Sequence, residues 1–164
     1  MIKIGKINDV LIGEEYLSFN YQKQPIKESE VQLWRNSGYY HDSFTGGMYG
    51  SNNEMPRWTK DIGKDVGLKN CGFTFYKMST LDIMPPHYDH FETYSRIFDI
   101  EQSNVYRAIV FLEDWKPGHY FEYDKNPFTG WKRGDYVMYS HNVEHAASNI
   151  GIKPRYTLQI TGTL

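Results

Sequence analysis

From residue 70 to the C-terminus the chain is written in short aromatic and β-branched runs, each closed by Pro, Gly, Asn or Asp. No other feature constrains the fold as strongly, because such runs are strand-sized and their separators are turn residues. Candidate strands are 71–79, 83–89, 105–113, 119–124, 135–140, 144–148 and 154–162. That number and spacing suits two facing antiparallel sheets, so a mainly β jelly roll is expected over about residues 70–164. Composition agrees, since 16% of the residues are aromatic, 14 of them Tyr and 9 Phe, which favours pleated structure over helix bundles.

The first 70 residues differ in texture. Residues 26–36 place Ile26, Val31, Leu33 and Trp34 among charged positions, predicting an amphipathic flanking helix that Gly38 ends. Residues 43–57 are too rich in Gly, Asn and Ser for a regular element and are read as a surface loop, with a substrate lid as the alternative. No repeat or low-complexity tract interrupts the 164 residues, so one domain over 1–164 is expected, with N-terminal helices packed outside the barrel.

Several classes of function are disfavoured. Eighteen basic and 20 acidic residues, a formal charge of -2, are mixed along the chain, so nucleic acid is not indicated as a partner. No apolar run is long enough for a membrane span or a signal peptide, and a cytoplasmic protein is expected. Cys71, the only cysteine, cannot form an internal disulfide; it opens a strand-like run and is read as structural rather than nucleophilic.

The chemistry-bearing segment is Pro85-Pro86-His87-Tyr88-Asp89-His90. Two prolines disfavour helix, and extended backbone turns His87 and Asp89 to one side and Tyr88 to the other. An imidazole and a carboxylate so placed are two members of a 2-His-1-carboxylate set, which occupies one face of an octahedral Fe(II) and leaves positions open for reactants. Alone, the pair is weak evidence. Downstream follow Gly134-Asp135-Tyr136-Val137-Met138-Tyr139, then His145-Ala146-Ala147-Ser148-Asn149-Ile150-Gly151, then Pro154-Arg155-Tyr156-Thr157-Leu158-Gln159-Ile160.

In this order the residues resemble the Fe(II)/2-oxoglutarate-dependent dioxygenases, whose fold is a double-stranded β-helix, and their prolyl-hydroxylase-like branch in particular. The family pattern is His-x-Asp, a long gap, a distal His, and about ten residues later an Arg in the last core strand. The resemblance covers about residues 70–164, and the earlier residues carry no matching motif. It implies that His87, Asp89 and His145 hold iron and that Arg155 pairs with the far carboxylate of 2-oxoglutarate, a task for which guanidinium geometry is suited. Strand alternation sets Arg155, Thr157 and Gln159 on one face, so Thr157 can donate to the same carboxylate. The branch also places a tyrosine near Tyr76 against the cosubstrate, although the spacing here is one residue long.

Other residues are contested. His141 competes with His145 as distal ligand, and His145 is preferred for its spacing to Arg155. His90 and His119 are read as non-ligands, and Trp115 and Trp131 as packing. Arg107 shares a strand face with Ile109 and Phe111 and needs a partner there, a structural ion pair before a substrate or cosubstrate carboxylate.

The resemblance implies an oxygenase that takes Fe(II), 2-oxoglutarate and O2, with ascorbate as an optional reductant, and hydroxylates a substrate C–H with release of succinate and CO2. Protein-bound proline, another residue, a nucleotide base and a small metabolite all remain open as substrates. Residues 43–57 and 90–104 are the expected substrate-facing segments. The rivals are a cupin-type metal-dependent isomerase or hydrolase, disfavoured by His-x-Asp where cupins usually carry His-x-His, and a non-catalytic jelly-roll binding module.

Overall fold

A computed structural model describes residues 1–50 and 52–164. In chain order the elements are β1 (Ile2–Lys6), β2 (Gln22–Lys23), α1 (Glu28–Asn36), β3 (Gly47–Tyr49), α2 (Trp58–Val66), β4 (Lys69–Met78), β5 (Ile83–His87), α3 (Glu92–Phe98), β6 (Tyr106–Phe111), β7 (His119–Tyr123), β8 (Asn126–Phe128), β9 (Asp135–Ser140), β10 (His145–Asn149) and β11 (Arg155–Thr163). The strands form a seven-stranded sheet in the order β1-β9-β6-β11-β4-β3-β2 and a four-stranded sheet in the order β5-β10-β7-β8. Every pairing is antiparallel. The expected mainly β, two-sheet fold is what forms, with helices outside it.

Side-chain alternation on the large sheet makes two cores. On β11, Tyr156, Leu158 and Ile160 point outward, against Ile62 and Val66 of α2. Ile62 and Val66 lie four apart on one helix face, with Gly63 beside them, and the helix closes at Gly67 in the left-handed conformation with φ +89. Gly63 packs closely there, and a Cβ would stand 3.1 Å from Cys71 Sγ and 3.2 Å from the Phe73 ring. Ile62 is fully buried, and truncating it to Ala removes about 2–5 kcal/mol. The other face of the sheet sends Tyr76, Met78, Ile109, Phe111, Val137 and Tyr139 towards Met84, Phe121 and Ala147 of the small sheet. The chamber described below opens within this inner core.

The first 70 residues depart from expectation. Helix α1 appears where predicted, with Gly38 at φ +97 just past its end, but three strands accompany the helices. β1 pairs with β9 at one edge of the large sheet, while β3 pairs with β4 at the other and carries β2. The edges of β9 and β4 offer unpaired backbone groups, and a short strand that satisfies them needs no buried face of its own. The segment 43–57 is thereby corrected, apart from residue 51, which lies outside the described residues: Gly47–Tyr49 is a strand, with Met48 opposite Tyr76. The segment 90–104 likewise holds α3. No helix among the described residues is long and apolar enough to cross a membrane.

Candidate metal centre

Edge strand β5 presents the first ligand candidates. Its Pro85 and Pro86 lack amide protons, which an edge strand tolerates. The strand ends at His87, so Asp89 lies beyond it, yet the expected sidedness holds: Tyr88 is 48% exposed while His87 and Asp89 turn inward. The neighbouring β10 places His145 directly opposite His87 in the ladder, with ring centroids 4.2 Å apart. One ligand atom from each of His87, Asp89 and His145 lies within 4.8 Å of the other two. His145 belongs to this group, and His141, which follows β9 in a turn, does not.

Backbone carbonyls fix both imidazoles. Nδ1 of His87 lies 2.8 Å from the Pro85 carbonyl oxygen, and Nδ1 of His145 lies 3.1 Å from that of Val143. Each Nδ1 therefore carries the proton and donates it, and each Nε2 keeps its lone pair free, the state a metal ligand requires. His145 Nε2 stands 3.7 Å from Asp89 Oδ2, and that oxygen is buried with no hydrogen-bond donor. Burial lowers the His145 pKa to about 4, against the opposing pull of Asp89, so the ring is neutral at ordinary pH. Burial also works to raise the Asp89 pKa, but Arg107, then His145 and His87, together hold it below the usual value. Two imidazole nitrogens and one carboxylate form a donor set suited to a divalent ion such as Fe(II).

Across the chamber, β11 supplies the second polar group. Arg155 and Thr157 are 4% and 1% exposed, and with Tyr76 of β4 they line the same chamber as the His-Asp-His cluster. Arg155 donates to the Tyr120 carbonyl at 2.6 Å and to Met78 Sδ at 3.0 Å, while its Nε has no acceptor. No carboxylate among the described residues pairs with it. Burial draws its pKa down to about 10, which still leaves a full positive charge at neutral pH. The Tyr76 hydroxyl accepts from the Gly46 amide at 2.7 Å and keeps its own proton to donate, with its pKa pushed up to about 12 by burial. Gly46 has to be glycine, since a Cβ would lie 2.4 Å from the Lys77 carbonyl oxygen.

Arg107 of β6 finds the partner its position demanded: Nη1 is 3.3 Å from Asp89 Oδ2. His119 is a core histidine, 3% exposed with Nε2 bound to the Lys153 carbonyl at 2.9 Å, and His90 is exposed. Cys71 is half-buried on β4 with its thiol donating to the Leu68 carbonyl. Tyr139 escaped the sequence reading. It is fully buried on β9, lines the chamber, and its hydroxyl has no partner. Burial, and next Asp89, raise its pKa well above the ordinary value, so the phenol stays a donor. The signal available was strand alternation, which puts Tyr139 on the same face as Val137 in the strand expected over 135–140.

No family model and no curated protein sequence matches the chain. Among solved structures it is similar to a Pseudomonas putida prolyl-4-hydroxylase, with a TM-score of 0.60 at 12% identity over 99% of this chain and 91% of that one. It is also similar to KdgF from Halomonas sp., with a TM-score of 0.46 at 8% identity over 88% and 87% of the two chains. The Schizosaccharomyces pombe Cnp3 cupin domain aligns with a TM-score of 0.45 at 9% identity over 72% of this chain and 61% of that one. At 12% identity the likeness to the first of these is one of fold, and the fold is a mainly β double-stranded β-helix.

Proposed function

We propose that the chain is an Fe(II)- and 2-oxoglutarate-dependent oxygenase that hydroxylates a substrate C–H bond. The observation that carries this reading is Arg155, a buried guanidinium without a counter-ion, facing the same chamber as a His-Asp-His cluster with free Nε2 atoms. A buried cation is costly until an anion meets it. A metal-dependent isomerase or hydrolase needs the cluster but has no task for that cation. A dicarboxylate bridging the two groups uses both.

His87, Asp89 and His145 hold Fe(II) through two Nε2 atoms and one carboxylate oxygen, with the Pro85 and Val143 carbonyls keeping the imidazoles in the required tautomer. Bound iron supplies the oxidising chemistry, in which O2 and 2-oxoglutarate yield succinate, CO2 and one hydroxyl group on the substrate. Arg155 receives the far carboxylate of the cosubstrate, and the hydroxyls of Thr157 and Tyr76 donate to it. The apolar side chains Met84, Ile109 and Phe121 line the chamber and limit access of water.

The test is succinate release from 2-oxoglutarate by the purified protein with Fe(II), ascorbate and air. Turnover above that of His87→Ala is the expected result. Equal rates for the two proteins, with iron bound to the first, overturn the proposal.

A further inference from the structure

Arg107 and the groove beside it have no task in the reading above. Arg107 stands where the chamber meets a groove of about 700 Å³ between α3 and β4, and it lines both. Nη1 donates to Gln159 Oε1 at 3.2 Å, Nη2 donates to Thr161 Oγ1 at 3.2 Å, and the guanidinium lies 5.2 Å from the centre of the Phe91 ring. Nε is buried with no acceptor. These contacts hold the group in place, and only Asp89 opposes its charge. Asp89 is also the carboxylate that a metal at the cluster claims.

With a divalent metal in place, the chamber contains that ion, two guanidiniums and a single carboxylate. A 2-oxoglutarate dianion still leaves the site positive, and a surplus charge there is costly until another anion enters. The groove indicates what else that anion carries. Phe73, Phe91, Tyr94, Ile97 and Phe98 line it, with Ile97 67% and Phe98 42% exposed. Its only acid, Glu92, already faces Lys27 at 3.9 Å.

We infer that the substrate is an amphipathic carboxylate whose anionic end pairs with Arg107 and whose apolar body lies in the groove between α3 and β4. Because Arg107 touches the ligand carboxylate Asp89, the carbons next to the substrate's own carboxylate lie nearest the metal. Hydroxylation falls there: one atom of O2 enters that C–H bond as hydroxyl, and the other is carried off in succinate. This inference rests on the oxygenase reading.

The test separates the two. Protein loaded with Fe(II) and 2-oxoglutarate under anaerobic conditions is first checked for the visible charge-transfer band of the chelate. It is then titrated calorimetrically with hexanoate, octanoate and decanoate and with the amide of each. At least one acid is expected to bind about tenfold or more tightly than its amide, with Arg107→Gln bringing the pair within about twofold. Should that variant fail to fold, Ile97→Asp, at an exposed groove position, is expected to weaken the same acid at least about fivefold. Binding of no acid, or equal binding of acid and amide, overturns the inference and leaves the oxygenase reading intact. Absence of the band in the unaltered protein overturns both.

Discussion

The two ends of the chamber solve the problem of buried charge differently. At the small-sheet end, Arg107 opposes the charge of Asp89, and backbone carbonyls orient the His87 and His145 rings. At the large-sheet end, Arg155 has only a carbonyl and a thioether sulfur as acceptors and keeps its charge unopposed. The first end has its donors already gathered for a cation. The second is an unmet electrostatic demand, and a demand of that kind specifies its ligand more narrowly than a cluster does. It calls for an anion, which on the proposed reading is the far carboxylate of 2-oxoglutarate.

If the ends act separately, they can be broken separately. The largest effect is expected from His87→Ala or Asp89→Asn, each leaving two donors, with loss of stoichiometric Fe(II) binding in an anaerobic equilibrium titration. Arg155→Gln is expected to keep the metal and weaken 2-oxoglutarate about 30-fold to 100-fold, measured by titrating the iron-loaded protein. Loss of metal affinity in that variant would show that the ends are coupled.

Acid tests the small-sheet end alone. His145 has a folded pKa of about 4 against an ordinary value of 6.5, so the unfolded chain takes up its proton first as pH falls. The neutral, buried ring therefore contributes stability above pH 6.5 that is lost as pH drops towards 4, by about 2–3 kcal/mol. The denaturant midpoint of the metal-free protein should fall further between pH 7 and pH 4.5 than that of His145→Gln. Smaller still is Tyr76→Phe, which removes one donor and should weaken 2-oxoglutarate about fivefold without altering iron affinity. Tyr139→Phe is expected to change least: its hydroxyl has no partner, so the thermal midpoint without ligand should hold steady or rise slightly.

The barrel strands were readable from the sequence because their period-2 alternation records a buried face. β4, β6, β9 and β11 start or end within two residues of expectation. β1 and β3 carry no such record: β1 is mostly exposed, β3 is half-buried on both faces, and both exist because β9 and β4 had edges to satisfy. The helix α2 was hidden by Gly63, a residue that local propensity penalises and that lies close against Cys71 and Phe73. In the site, His87 and Asp89 lie close in sequence and alternation placed them. His145 was preferred to His141 for its spacing to Arg155, whereas its place opposite His87 in the ladder is a relation between strands far apart in the chain. The partner of Arg107 was unreadable for a related reason, since its contact with Asp89 joins strand β6 of one sheet to the segment after β5 of the other.

The most direct test of the account is the anaerobic visible spectrum of the protein with Fe(II) and 2-oxoglutarate, compared with those of His87→Ala and Arg155→Gln. The account predicts a charge-transfer band in the unaltered protein, no band in His87→Ala, and in Arg155→Gln a band that returns only at much higher 2-oxoglutarate concentration. A band of equal intensity and equal 2-oxoglutarate dependence in all three, or none in the unaltered protein with iron bound, would contradict it.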